Sequence, residues 1–230
     1  MCGRYTARRI DSRRFGVDHP EPWFEEFTER NPFRFNLAPS MELPIVRMSG
    51  EGERVLRLAR WGLIPSWTKG KPKIQPINAK CETAATSGMF RQALGSRRCI
   101  IPADGFYEWQ GAKPPKKPFF IHMKDDEAFG FAGLWERWRP DEEAEPVETF
   151  TILTTSPNPL MERIHNRMPV ILDPKDYAWW LDKTLPAQAV ADLLKSYPAE
   201  VMEAYEVSTK VNNVRNGGEE LVKPAGEPGE

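Results

Sequence analysis

The chain has 230 residues, 40% of them hydrophobic and 11% aromatic, enough to bury one large core or two small ones. Such a composition excludes a disordered chain, which would be poorer in both classes. The net charge of −1 does not advertise a polyanionic partner, although the acidic runs at 141–148 and 219–230 leave the remainder net basic. No apolar run follows the first arginines and no stretch reaches the length of a membrane span, so neither a signal peptide nor a membrane partner is expected. Three cysteines without CxxC spacing argue against a disulfide framework or a zinc site. A soluble protein of a reduced, cytoplasmic compartment is expected.

Along the chain, PWFEEFTER (22–30) predicts a short helix. ELPIVRMS and RVLRLARWGL predict two strands joined by the turn-like GEGE. SGMFRQALGSRR has helical spacing, with Met89, Ala93 and Leu94 on one face and a glycine stop. RCIIPADGFYEW predicts a buried strand that turns at Asp104-Gly105, and KPFFIHM, FGFAGLWERW and ETFTILTT predict further strands. DPKDYAWWLD and LPAQAVADLLKSY read as helices, each with a proline near its start. YEVSTKVNNV predicts a last strand and loop, while GAKPPKKP and RPDEEAEPVE read as exposed hairpin connections. No repeat and no βαβ alternation is visible, so the predicted class is α+β with a mainly antiparallel sheet. One domain over 1–222 and a disordered tail over 223–230 are expected.

Few residues offer chemistry. Cys2, in MCGRYT, would carry both a free α-amine and a thiol once Met1 is removed. An α-amine titrates near pH 8 (about 7.7–8.0 in peptides), so part of it is neutral and nucleophilic at pH 7. With an aldehyde it forms an imine, which the adjacent thiol can close to a five-membered thiazolidine. Otherwise Cys2 is a small buried hydrophobe. Glu108, in GFYEW, is flanked by aromatics that would desolvate it and raise its pKa, unless strand alternation turns it to solvent. His165, in RIHNRMPVIL, lies in a polar loop, whereas His19 sits in a turn and His122 in a strand. Asn78, in PINAKCET, is a turn or cap residue or a donor to a substrate oxygen. Arg4, Lys80 and Arg167 lie beside these candidates as phosphate ligands or solvated charges. Trp61 and Trp67 bracket WGLIPSW as stacking platforms or core.

Taken in order, MCGRYT, FNLAP, WGLIPSW, INAKCET, RCIIPADGFYEW, AGLWERW, ILTT, IHNRMPVIL and VSTKVNNV resemble the SOS-response-associated peptidase family, also called abasic-site processing or shield proteins. The resemblance runs from Cys2 to about Leu221. It implies a single domain with a barrel-like, mostly antiparallel β core surrounded by helices. It also implies a DNA-damage function: binding single-stranded DNA at abasic sites and capping the ring-opened sugar through Cys2. Asn78, Glu108 and His165 stand at the family's active-site positions beside Cys2. Glu108 would shuttle protons, His165 would protonate the sugar oxygen, and Asn78 would orient Cys2 and the sugar. The resemblance assigns DNA contacts to Arg4, Asn36, Pro39, Trp61, Trp67, Lys80 and Arg167. The family commonly has Arg where this chain has Lys80, which keeps the charge without the bidentate fork. No metal or cofactor is implied, and the protein would act as a monomer, associating with the nucleoid during DNA damage. The reaction would be single-turnover crosslinking with lyase-like Schiff-base chemistry, and cysteine-type removal of Met1 by the chain itself is a further implied activity.

Two rivals share the MCG start or the family name. A glutamine amidotransferase with an N-terminal nucleophile would need NGEIYN-like and RGPD-like segments, which are absent. A cysteine autopeptidase would pair Cys2 with His165. The third rival is a DNA-binding module in which Cys2 is incidental.

Overall fold

Among the described residues, twelve strands and a few short helices build a closed ring and a second sheet beside it. The structure is a computed structural model that describes residues 2–226; Met1 and residues 227–230 lie outside the described residues. The first half of the chain supplies β1 (Tyr5–Thr6), β2 (Glu42–Met48), β3 (Arg54–Trp61), β4 (Asn78–Lys80), β5 (Arg98–Ala103) and β6 (Gly105–Gln110). The second half supplies β7 (Lys117–Met123), β8 (Phe129–Trp138), β9 (Val147–Thr155), β10 (Met168–Pro169), β11 (Ile171–Leu172) and β12 (Met202–Glu206). The α-helices are α1 (Pro22–Arg30), α2 (Cys81–Ala84), α3 (Arg91–Ser96), α4 (Pro159–Glu162) and α5 (Tyr177–Leu181).

Strands β9, β3, β2, β5 and β8 pair in that order, and β8 pairs back onto β9, so five strands close a barrel. Closure leaves no open edge within the ring. The pairs are antiparallel except β3 with β9, where Arg60 and Trp61 lie beside Thr149 and Phe150 in parallel. The interior is aromatic and aliphatic: Trp61 stacks on Phe150 at 6.1 Å and meets Tyr5 edge-on at 5.3 Å. The ladder from β5 to β8 is buried throughout on the β5 side, as its run of apolar residues predicts. The fold is thus the α+β, barrel-centred, mostly antiparallel one expected.

A second sheet, β1-β6-β7-β12, is antiparallel throughout and packs beside the barrel. The chain passes from the barrel into this sheet at Asp104, between β5 and β6, and here the expected simple turn is something more. A Cβ on Gly105 would lie 2.2 Å from the Phe120 ring, so only glycine fits the crossing. The Asp104 carboxylate is fully buried and accepts from Thr6 Oγ1 at 2.5 Å and from the backbone N–H groups of Arg8 and Arg9 at 2.8 and 2.9 Å. Arg8 Nε lies 3.2 Å from its second partner oxygen, Oδ1. One side chain therefore ties the N-terminal strand to the point where the two sheets meet.

Three expectations change. LPAQAVADLLKSY forms not an α-helix but a 3-10 segment, Ala187–Leu193, after Pro186. Asn78 is not in a turn: it opens β4, a strand too short to show any periodicity. Of the expected tail over 223–230, Pro224 and Ala225 are held in place, the Ala225 N–H donating to the Glu206 carbonyl at 2.7 Å and Pro224 bridging to Val207; residues 227–230 of that expectation lie outside the described residues. Among the described residues, no helix is long and apolar enough to cross a membrane.

Candidate active site

The N-terminal segment reaches its place by strand pairing. Tyr5 pairs with Phe106 and Thr6 with Gly105, and the Tyr107 N–H donates to the Arg4 carbonyl at 3.0 Å. On its other side the segment is held by Tyr5 and Leu37, which exchange N–H···O bonds of 3.2 and 2.9 Å. Extending the antiparallel register sets Gly3 opposite Glu108, and Cys2, next to Gly3, lies close enough to feel the Glu108 charge. Both are buried, Cys2 completely and Glu108 to 2% exposure. Burial raises the Glu108 pKa above the usual carboxylate range. Burial, and then the charge of Glu108, push the Cys2 thiol well above its ordinary range. The thiol at rest is therefore neutral, and the carboxyl beside it is poised to exchange a proton.

Arg4 lies half-buried beside this pair. Nη1 donates to Asn36 Oδ1 at 2.8 Å and to the Val211 carbonyl at 2.9 Å, and the guanidinium sits 5.9 Å from the Trp109 ring. Burial lowers its pKa, and among the described residues no carboxylate pairs with it. Asn36 is itself fully buried, with Nδ2 donating to the carbonyls of Asn213 and Asn216 at 3.1 and 2.8 Å. Trp109 Nε1 donates to Asn212 Oδ1 at 2.7 Å. The VSTKVNNV loop thus forms the seat of Arg4.

The remaining candidates come from the barrel. The C-terminal half of β9 is flanked by two short strands: Lys80 of β4 pairs with Thr154 in parallel, and Pro169 of β10 pairs with the same residue in antiparallel fashion. Because both pair with Thr154, they lie on its two opposite edges. Asn78 therefore sits on one side of β9, and the 163–167 loop leads into the strand on the other. His165 follows α4, whose start is capped by Asn158 accepting from the Met161 N–H. Nδ1 of His165 lies 3.1 Å from the Arg167 backbone N and 3.2 Å from its carbonyl oxygen. Gln110, at the end of β6, donates to the Arg163 carbonyl at 2.7 Å and fastens this loop to the Cys2 sheet. The charge of His165 acts on Glu108, favouring the carboxylate. Asn78 has both amide atoms buried with no hydrogen-bond partner among the described residues. Buried amides without partners are rare, and this one is available to a ligand.

The model of the SOS response associated peptidase (SRAP) family matches residues 1–214. The chain belongs to this family. Abasic site processing protein YoqW of Bacillus subtilis (strain 168) is 42% identical, the alignment covering 97% of this chain and 99% of that protein. Abasic site processing protein YedK of Escherichia coli (strain K12) is 33% identical over 97% and 100%. Abasic site processing protein HMCES of Gallus gallus is 35% identical over 97% of this chain and 78% of that protein. A crystal structure of a protein from Bacteroides thetaiotaomicron superposes with a TM-score of 0.86 at 26% identity, covering 97% and 100%.

In this SRAP chain Glu108 interacts electrostatically with both Cys2 and His165, but not all the expected residues face outward. Trp61 is 1% exposed and donates through Nε1 to the Ile77 carbonyl at 2.9 Å. It is core and offers no face to a base, which corrects the stacking expectation for it. Asn36 is also enclosed, so its bond to Arg4 replaces the expected direct DNA contact. Pro39 lies at a half-buried turn just after the bridge that Leu37 makes to Tyr5. Trp67 is the outward aromatic, 58% exposed, in a shallow groove with Lys69, Lys71, Lys73 and an exposed Ile74. Lys80 is exposed at the end of β4. Arg167 is engaged by Glu82. The buried tie made by Asp104 and the ion pair made by Glu82 are not foreseen from the sequence. Asp104 sits in a stretch that reads as a turn, and the partner of Glu82 is 85 residues away. Among the described residues, no three His, Cys, Asp or Glu side chains are grouped to hold a metal ion.

Proposed function

We propose that this protein captures ring-opened abasic sites in single-stranded DNA, with Cys2, freed of Met1, forming a thiazolidine with the sugar aldehyde. The observation that carries the reading is the buried carboxylate of Glu108, its pKa raised by burial and its charge felt by the buried thiol of Cys2. Names given to the relatives, at 33–42% identity over nearly the whole chain, supply the substrate class. The reaction balances as one aldehyde and one aminothiol giving one thiazolidine and one water. The Cys2 nitrogen adds to the aldehyde carbon, and the carbinolamine loses its hydroxyl as water to leave an imine. Sulfur then adds to the imine carbon, its proton ending on nitrogen.

In this reading Glu108 and His165 carry the proton traffic. A thiol held neutral by burial is not the first nucleophile, so nitrogen attacks first and sulfur closes the ring second. Glu108, with its pKa moved toward neutrality, can take a proton from the amine and return it to the departing hydroxyl. His165, on the facing loop, is the acid that protonates the sugar ring oxygen during opening. The buried amide of Asn78 has donor and acceptor atoms free to hold the sugar. Arg4 and Lys80 supply cations for neighbouring phosphates, and the groove at Trp67 supplies stacking and a basic rim. A self-cleaving thiolate–imidazolium pair gains no support here, because a reactive cysteine needs a lowered pKa and Cys2 has a raised one.

The test is denaturing electrophoresis after incubation with single-stranded DNA carrying one abasic site. Wild-type protein shown by intact mass to lack Met1 should give a denaturant-resistant adduct lighter by one water than its parts. Cys2→Ala should give none while still binding the DNA non-covalently. An adduct from Cys2→Ala at the wild-type yield would remove the thiazolidine reading.

A further inference from the structure

We propose that Gln110 is a positioning residue for the reaction: it fastens the loop that carries His165 to the strand that carries Glu108, and so sets the separation of the two groups. The inference rests on the reading of Glu108 and His165 as proton carriers given above, but its structural half does not require that reading. Successive side chains of a strand leave opposite faces of the sheet, so residues two apart share a face. Glu108 and Gln110 stand in this relation on β6, where their register partners on β7 are Phe119 and Lys117. Gln110 Nε2 donates to the Arg163 carbonyl at 2.7 Å. A carbonyl oxygen only accepts, so this partner takes the NH2 end of the amide and fixes which way the side chain is turned. His165 follows Arg163 by two residues. One face of β6 thus carries the carboxylate and, two residues on, the grip on the loop.

The loop needs this grip because its two ends belong to other elements. It leaves α4, which is four residues long, and enters β10, whose Met168 and Pro169 pair with Thr155 and Thr154 of the barrel strand β9. The start of α4 is docked on the second sheet: the buried Asn158 donates through Nδ2 to the Tyr197 carbonyl at 2.7 Å and to Sδ of Met202, the first residue of β12, at 3.4 Å. Asn158 therefore fixes where the turn begins, and Gln110 fixes how its far end, leading to His165, stands against β6. Burial raises the Glu108 pKa, and the charge of His165 acts the other way. That coupling weakens with separation, so it reports how the loop is placed. Gln110 is half-buried at the end of its strand, so it can be replaced without opening the core.

Another use of the same amide would be as a DNA contact, its donors turning to a phosphate when the strand binds. Q110M separates the two uses, because it keeps the length of the side chain and removes its donors. In DNA-free protein, carbon NMR of the Glu108 carboxyl, assigned by loss of the signal in E108Q, gives its titration midpoint with His165 present and in H165Q. The difference between those midpoints is the coupling, and in the Q110M background it should shrink by about half. In single-turnover crosslinking at saturating abasic DNA, Q110M should be slower by about tenfold. Q110K, which restores a donor, should recover most of the rate. The affinity of Q110M for undamaged single-stranded DNA of the same length should be unchanged, and melting curves establish that each variant is folded. An unchanged coupling in Q110M overturns the proposal, and so does an unchanged rate; a weaker affinity with either would make Gln110 a DNA contact. If wild-type protein forms no adduct but the coupling shrinks in Q110M, the functional reading fails and the placement of the loop by Gln110 stands.

Discussion

Arg4 and Arg167 reach the site from different sheets, and the fold treats their charges in opposite ways. Arg4 rests on an amide oxygen and a backbone carbonyl, with no carboxylate among the described residues to neutralise it. Arg167 is matched oxygen for nitrogen by Glu82. Neutral acceptors orient a guanidinium without cancelling its field, whereas a carboxylate cancels most of it. Two arginines that look alike in sequence therefore differ in how far the protein itself balances their charge. Counting cations near a site does not measure its pull on a phosphate backbone.

The largest way to break this contrast is to release the N-terminal strand from its anchor. Asp104→Ala leaves Arg8 without its buried partner and two backbone N–H groups and one hydroxyl without an acceptor, a loss of about 3–5 kcal/mol. Its urea midpoint should fall sharply, and crosslinking should be lost with Cys2 no longer held at Glu108. Next in size is the direct comparison of the two arginines. Arg4→Ala should weaken binding to single-stranded DNA and reduce the slope of log affinity against log salt by about 0.7, one phosphate's worth. Arg167→Ala, whose charge Glu82 already balances, should reduce that slope by less. Equal slopes for the two variants would erase the distinction.

The smallest effect concerns Glu108 and has a sign opposite to most active-site substitutions. Its folded-state pKa is raised, so above the unfolded value the native state holds a proton that the unfolded chain has released. Stability thus falls as pH rises from about 4.3, the unfolded carboxyl value, through the raised folded value. Glu108→Gln removes that loss, so it should raise the melting temperature at pH 7, match wild type at pH 4, and still slow crosslinking. A variant less stable than wild type at both pH values would mean that the carboxylate is structural.

Much of this was legible beforehand. The long strands β2, β3 and β5 to β9 announce themselves by apolar runs punctuated by Gly, Pro and charge, and the motifs around Cys2, Glu108 and His165 point to their residues. What escaped was whatever depends on distant partners or on very few residues. A three-residue strand has no period, so Asn78 read as a turn. Asp104-Gly105 has turn composition, yet its carboxylate is the buried tie between two sheets. Trp61 and Trp67 lie in one short motif, and only the closure of β3 onto β9 puts the first inside and leaves the second out. The partner of Glu82 is set by how β4 and β10 flank Thr154, which no local pattern encodes.

The complete burial of Cys2 also sets a clock. The segment that carries it pairs with β6, whose last residue is Gln110, so it cannot be covered until nearly half the chain has been made. At about 5–20 residues per second that interval lasts roughly 5–20 s. During it the chain start is open to an aminopeptidase; once β6 has paired with the segment, Cys2 is buried. On the proposed reading, the freeing of Cys2 would be decided on the ribosome, in a race between an enzyme and a strand.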